Sequence, residues 1–173
     1  MLLRGVNLGP SRRLAMGDLR TLLTSLGYDD ARTLLQSGNV VLTTGKKPAT
    51  LKAELEQHIA AGFGLETEVF VRTRDELADV VARNPLRGVA VNPSRYLVSF
   101  LSGEPEADRV RELATVAVAP EGLATSGREI YSWHPNGIRD SKLARLLAKE
   151  RLGVSATARN WNTVTKLLAL ADA

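Results

Sequence analysis

The chain has 173 residues, 44% hydrophobic and 24% charged, ordinary proportions for a globular fold that buries enough surface to need no covalent staple. Cysteine is absent and histidine occurs twice, which excludes disulfides, thiol catalysis and thiolate metal sites and leaves too few ligands for structural zinc. Lys and Arg number 23 against 19 Asp and Glu, and the net charge of +4 is spread along the chain, so anionic partners are favoured only mildly.

No stretch approaches the roughly 18 apolar residues of a membrane span. Met1 to Gly5 is too short for a secretory apolar region, and a cytoplasmic protein without a membrane partner is expected. In chain order, Leu2-Leu3 enter a first strand that stops at Gly5, and a loop runs to Arg13. Leu19, Leu22, Leu23 and Leu26 repeat on one helix face, with Gly27 as the stop. Arg32 to Leu35 and Val40 to Thr43 form a hairpin around Ser37-Gly38-Asn39, where glycine or asparagine supplies a positive φ. Pro48 opens a helix with the stripe Leu51, Leu55 and Ile59, and Glu66 to Val71 alternates as a strand. Thr73-Arg74-Asp75-Glu76 is a capping box for a helix ending at Asn84-Pro85.

Residues 86–95, rich in Pro, Gly and Asn, read as a linker. Tyr96 to Leu101 is then a strand, Pro105 opens a helix carrying Val110 and Leu113, and a second hairpin turns at Ser126-Gly127. Asp140 or Ser141 caps a helix with Leu143, Leu146 and Leu147 inward, ended by Gly153. Val154 to Arg159 is the closing strand, and Asn160 or Asn162 caps a last helix with Val164, Leu167 and Leu168. The two Ser-Gly corners lie 89 residues apart, and so do Phe63-Gly64-Leu65 and Leu152-Gly153-Val154. Two landmarks in one register point to a duplicated unit. The predicted fold is α+β, two ferredoxin-like βαββαβ halves each followed by an extra helix, over 1–85 and 96–173, able to share one compact core.

Four blocks, Leu2-Leu3-Arg4-Gly5-Val6-Asn7-Leu8-Gly9, Gln36-Ser37-Gly38-Asn39-Val40-Val41, Pro135-Asn136-Gly137-Ile138 with Ser141-Lys142-Leu143, and Arg159 to Leu167, occur in the order seen in a known family. The chain resembles the bacterial domain of unknown function 1697 family over nearly its whole length. That resemblance implies a cytosolic bacterial α+β protein and brings no established activity. Members usually carry a few apolar residues before the Leu-Leu-Arg-Gly block, so the first strand looks clipped, and many have a second glycine where this chain has Pro10.

In a βαββαβ unit the loop after the first strand, the hairpin corner and the loop before the last strand share one end. Arg4, Asn7, Arg12, Arg13, Gln36 and Asn39 therefore converge as a candidate anion pocket, with glycine-exposed N–H groups and forked guanidinium contacts. The alternative is a solvated basic loop beside an ordinary hairpin. A second cluster, at the opposite end of the second half, holds Asn136, Lys142, Arg159, Asn160, Trp161, Asn162 and Lys166. A cation, an indole and several amides can stack on a ring and bond its edges. Equally, Trp161 can staple the last helix to the sheet while an Asn caps it. His134 and Lys142 are the acid–base candidates, without a nucleophile motif or carboxylate pair beside them.

The function expected is a binding module for an anionic ligand, nucleotide-like or nucleic acid, without cofactor or metal. The alternatives are a small-molecule enzyme with an Asn, Trp and Arg lined pocket, and an interaction protein that forms a homodimer.

Overall fold

The computed structural model describes residues 1–9, 12–117, 119–148 and 152–173. Pro10 lies outside them. Among the described residues the chain is mixed α/β, with two four-stranded antiparallel sheets and six helices. Two compact units divide it, one of Met1–Leu77 with Leu167–Ala173 and one of Ala78–Lys166.

The first unit contains β1 (Leu2–Leu3), α1 (Met16–Ser25), β2 (Arg32–Leu34), β3 (Asn39–Val41), α2 (Pro48–Phe63) and β4 (Val69–Phe70). Its sheet runs β2-β3-β1-β4. The two-residue β1 lies inside it, with Leu2 opposite both Asn39 and Phe70. Pro48 occupies the first turn of α2, where its missing N–H is no loss, and Gly64 closes that helix in the left-handed region at φ 59°. Leu51, Leu55 and Ile59 recur one turn apart and bury with Leu19 and Leu23 of α1 against Leu3, Val40 and Val69. Helix α3 (Arg74–Arg83) follows β4, and its residues divide between the units at Leu77 and Ala78. The capping box forms as the spacing predicts: Thr73 N–H donates to Glu76 Oε2 at 2.8 Å, and Glu76 N–H to Thr73 Oγ1 at 3.1 Å.

The alternating stretch 66–71 yields only the two residues of β4. Its ladder partner β1 ends where Gly5 turns to φ 64°, so nothing remains for a longer strand to pair with. The last link is Arg4 N–H to Glu68 O at 3.0 Å, and the Thr67 hydroxyl donates to Arg4 O at 2.8 Å.

The second unit contains β5 (Tyr96–Leu101), α4 (Ala107–Val116), β6 (Gly122–Ser126), β7 (Glu129–Trp133), α5 (Lys142–Ala148) and β8 (Ala156–Asn160). Its sheet runs β6-β7-β5-β8. Leu101 and Ile130 bury beneath Leu113 of α4 and Leu143 and Leu147 of α5. Residues 149–151, where α5 would approach Gly153, are outside the described residues. Ser141 caps α5, accepting Ala144 N–H at 2.9 Å. Asn160 caps α6 (Trp161–Asp172), accepting Thr163 N–H at 2.9 Å. Strand β8 extends one residue past the predicted limit, so Arg159 sits within it opposite Val98. No helix among the described residues is long and apolar enough to cross a membrane.

The two corner glycines differ in a way that substitution resolves. Gly38 has φ 73°, and a Cβ there would lie 2.7 Å from Leu3 Cβ and 2.8 Å from Val6 Cγ2. Gly127 has φ 56° with nothing within 4 Å of such a Cβ. Gly127→Ala should cost about 1 kcal/mol, the left-handed backbone penalty alone. Gly38→Ala adds a clash with a central strand and should cost about 3 kcal/mol in urea unfolding. Equal losses would mean that the corner and β1 separate freely.

Candidate functional site

The loop after β1 is shaped by Asn7, which adopts φ 57°, a conformation asparagine tolerates better than most residues. Its backbone N–H donates to Arg12 O at 2.7 Å, and its Oδ1 accepts Leu14 N–H at 2.8 Å. Nδ2 donates to Leu14 O at 2.9 Å and to Gln36 O at 2.6 Å, tying the loop to the β2–β3 corner. Arg12 makes the third connection, with Nε donating to Gly5 O and Nη2 to Glu66 O, both at 2.8 Å. The loop after β1, the corner and the segment before β4 thus meet at one end of the first unit.

Two hollows open there. One, of about 730 Å³, is lined by Arg4, Leu8, Arg12 and Lys52 together with Glu56, Glu66 and Glu68. The other, of about 480 Å³, is lined by Asn7, Arg13, Leu14 and Gln36 beside Ala15, which precedes α1. In the larger hollow most charges are paired. Arg4 Nη1 lies 3.6 Å from Glu68 Oε2, and Lys52 Nζ lies 2.5 Å from Glu56 Oε1 and 3.4 Å from Glu68 Oε1. Arg12 is held by backbone carbonyls, which leave its charge uncompensated at contact range among the described residues. Arg13 and Gln36 are exposed, whereas Asn39 is fully buried and donates to Leu34 O at 2.8 Å and Ser37 Oγ at 2.9 Å. The amide of Asn39 belongs to the corner.

Lys52, Glu66, Thr67 and Glu68 are absent from the sequence-based set. For Glu66, Thr67 and Glu68 the signal was available: the segment after Gly64 falls at the same end as the Gly5 loop, whereas Lys52 lies within α2 and only the fold brings it there.

In the second unit the loops meet in a different way. His134 N–H donates to Arg95 O at 3.1 Å, the Arg95 guanidinium bonds Pro135 O, and Trp161 N–H donates to Pro93 O at 3.1 Å. The Trp161 ring stacks on buried Tyr96, with centroids 4.8 Å apart and planes 19° apart. That contact takes one indole face, and the Asn160 side chain is taken by its cap on Thr163. Arg159 is 8% exposed and bonds Thr157 Oγ1 at 2.9 Å and Ala158 O at 2.8 Å. Burial pushes its guanidinium down to about 10. Asn136, Lys142, Asn162 and Lys166 are exposed, and no hydrogen bond or ion pair joins their side chains to one another among the described residues.

His134 is fully buried. Its Nδ1 and Nε2 lie 2.8 Å from Ser141 Oγ and Ser132 Oγ, and since a hydroxyl both donates and accepts, either neutral tautomer is satisfied. Desolvation holds the imidazole below its ordinary value, opposed by Glu121 Oε1 at 3.7 Å from Nδ1. Burial likewise pushes the Tyr96 hydroxyl, which bonds Asn84 Oδ1 at 3.1 Å, up to about 12.

Taken with its sheets, the chain is an α+β protein with a polar loop end and a buried polar cluster. It belongs to a family described as a protein of unknown function, DUF1697, whose model matches residues 1–131. It is similar in fold to the conserved bacterial protein SP0830 from Streptococcus pneumoniae, with a TM-score of 0.76 at 21% identity, over 98% of this chain and 96% of that one. No curated protein matches the chain at a significant level.

The His134 environment sets a pH dependence of stability. A folded-state value below the unfolded one means that the unfolded chain takes up the proton first, so stability is full above about 6.5 and falls as pH drops below it. The slope is at most about 1.4 kcal/mol per pH unit for one proton. Urea unfolding at pH 7.5 and 5.5 should show this loss in the native chain and a smaller one in His134→Gln. Identical pH profiles would mean that His134 titrates alike in both states.

Proposed function

We propose that the chain is a duplicated ferredoxin-like protein, halves 1–85 and 96–173 joined by 86–95, that acts as a binding module rather than an enzyme. The matching strand orders and the 89-residue offset support the duplication. Gly38 and Gly127 stand at that offset, both with positive φ, and so do Gly64 and Gly153. At the same offset, residues 74–83 of α3 correspond to 163–172 in α6. The ligand is a phosphate-bearing small molecule, seated at the first half's loop end.

One observation carries the ligand reading. Arg12, on the wall of the larger hollow, is clamped by Gly5 O and Glu66 O through Nε and Nη2, so it keeps N–H groups for a ligand with part of its side-chain entropy already given up. Exposed Arg13, on the wall of the smaller hollow, adds a second cation at this end of the unit. A volume of about 730 Å³ is in the range of small-ligand sites. A polynucleotide is less well served, because Arg4 and Lys52 are already paired with carboxylates and leave fewer cations for a phosphate backbone. Enzymatic acid–base work at the other cluster is disfavoured by the complete burial of His134 and by the capping and stacking roles of Asn160 and Trp161.

Titration calorimetry with inorganic pyrophosphate tests the reading. Binding should be saturable, should weaken with added salt, and should fall about tenfold or more in Arg12→Gln/Arg13→Gln. Asn162→Asp/Lys166→Gln should leave it unchanged. Absence of binding at low salt, or equal loss in both double variants, overturns the proposal.

A further inference from the structure

The larger hollow carries a second uncommitted charge, of opposite sign to Arg12. Of its carboxylates, Glu56 is taken by Lys52, and Glu68 by Arg4 and Lys52. The Glu66 side chain is exposed and makes no hydrogen bond or ion pair among the described residues. Its backbone carbonyl is the acceptor that anchors Arg12 Nη2 at 2.8 Å. The guanidinium is therefore anchored on the residue that carries the uncommitted carboxylate, and both residues line one hollow.

Resting on the anion reading above, we propose that the ligand is zwitterionic: a phosphate monoester whose short carbon link carries a primary ammonium. The phosphate seats on the outer edge of Arg12, and the ammonium on Glu66. Charge bookkeeping favours this class over a bare anion. The paired groups Arg4, Lys52, Glu56 and Glu68 sum to zero, so the hollow offers one cation and one anion, and a simple dianion would meet Glu66 as a like charge. Leu8, 83% exposed at the rim, gives the carbon link an apolar contact.

The probes are phosphoethanolamine and ethyl phosphate, which share the phosphate and the two-carbon link and differ in the ammonium. Titration calorimetry at pH 7.5 and low salt should find phosphoethanolamine tighter by about fivefold, the worth of one exposed charge pair. Glu66→Gln should bring the two affinities together by weakening phosphoethanolamine, and Glu66→Lys should reverse their order. Both substitutions are at an exposed side chain and should leave the unfolding midpoint unchanged. Equal binding of the two probes by the native chain overturns the zwitterion inference and leaves the anion reading standing. A preference that survives Glu66→Gln overturns it too, because the ammonium then sits elsewhere. Failure of both probes to bind overturns the zwitterion inference as well, and the pyrophosphate titration then decides the anion reading on its own.

Discussion

The first unit depends on how closely the β2–β3 corner approaches β1. Leu3 N–H donates to Gly38 O at 2.8 Å, and the place where a Cβ of residue 38 would sit is 2.7 Å from Leu3 Cβ. A strand of two residues cannot hold the centre of a four-stranded sheet by ladder bonds alone. Contact with the one corner residue that carries no side chain, Gly38, brings Leu3 and Val6 into the core beside Val40. The same approach sets Gln36 O where the Asn7 amide reaches it, and so shapes the loop that presents Arg12.

Polar side chains at the loop ends divide by what they bond. Asn7, Asn39 and Asn160 spend their amides on nearby backbone, at a loop, a corner and a helix cap. An amide has donor and acceptor in fixed opposition, which suits a backbone peptide, and left unpaired in a buried place it costs free energy. Arg12 differs. A guanidinium has five N–H groups, so two carbonyl bonds fix its orientation and still leave an edge for another partner. Charge at this end is thus held in place by neutral acceptors, while Arg4 and Lys52 are absorbed by carboxylates.

The second unit uses its polar residues for packing. Trp161 begins α6 and lies flat on Tyr96, while Asn160 immediately before it closes the helix start. The same pair of residues, read from the sequence, suits a ring-binding site equally well, since stacking and amide bonding are what both roles require. His134 illustrates the point from the other side. A loop histidine before proline reads as accessible, but backbone N–H to Arg95 O and two serine hydroxyls draw it wholly inside.

Strand and helix order, the capping box, the N-caps and the glycine corners were legible from residues alone, because each is decided within a few positions by apolar period, φ preference or a capping side chain. Strand lengths were less so: the alternation at 66–71 promised six residues, and the ladder available from β1 allowed two. Which polar group is free was decided only in three dimensions. The Arg12 anchor is 54 residues away in sequence, and Asn7 reaches a carbonyl 29 residues away. Arg159 looked like the end of a strand and is buried within one opposite Val98. A short-range pattern names the side chains at each end of the sheet, but the partner that uses up or spares each of them comes from a distant part of the chain, and only the folded arrangement brings it there.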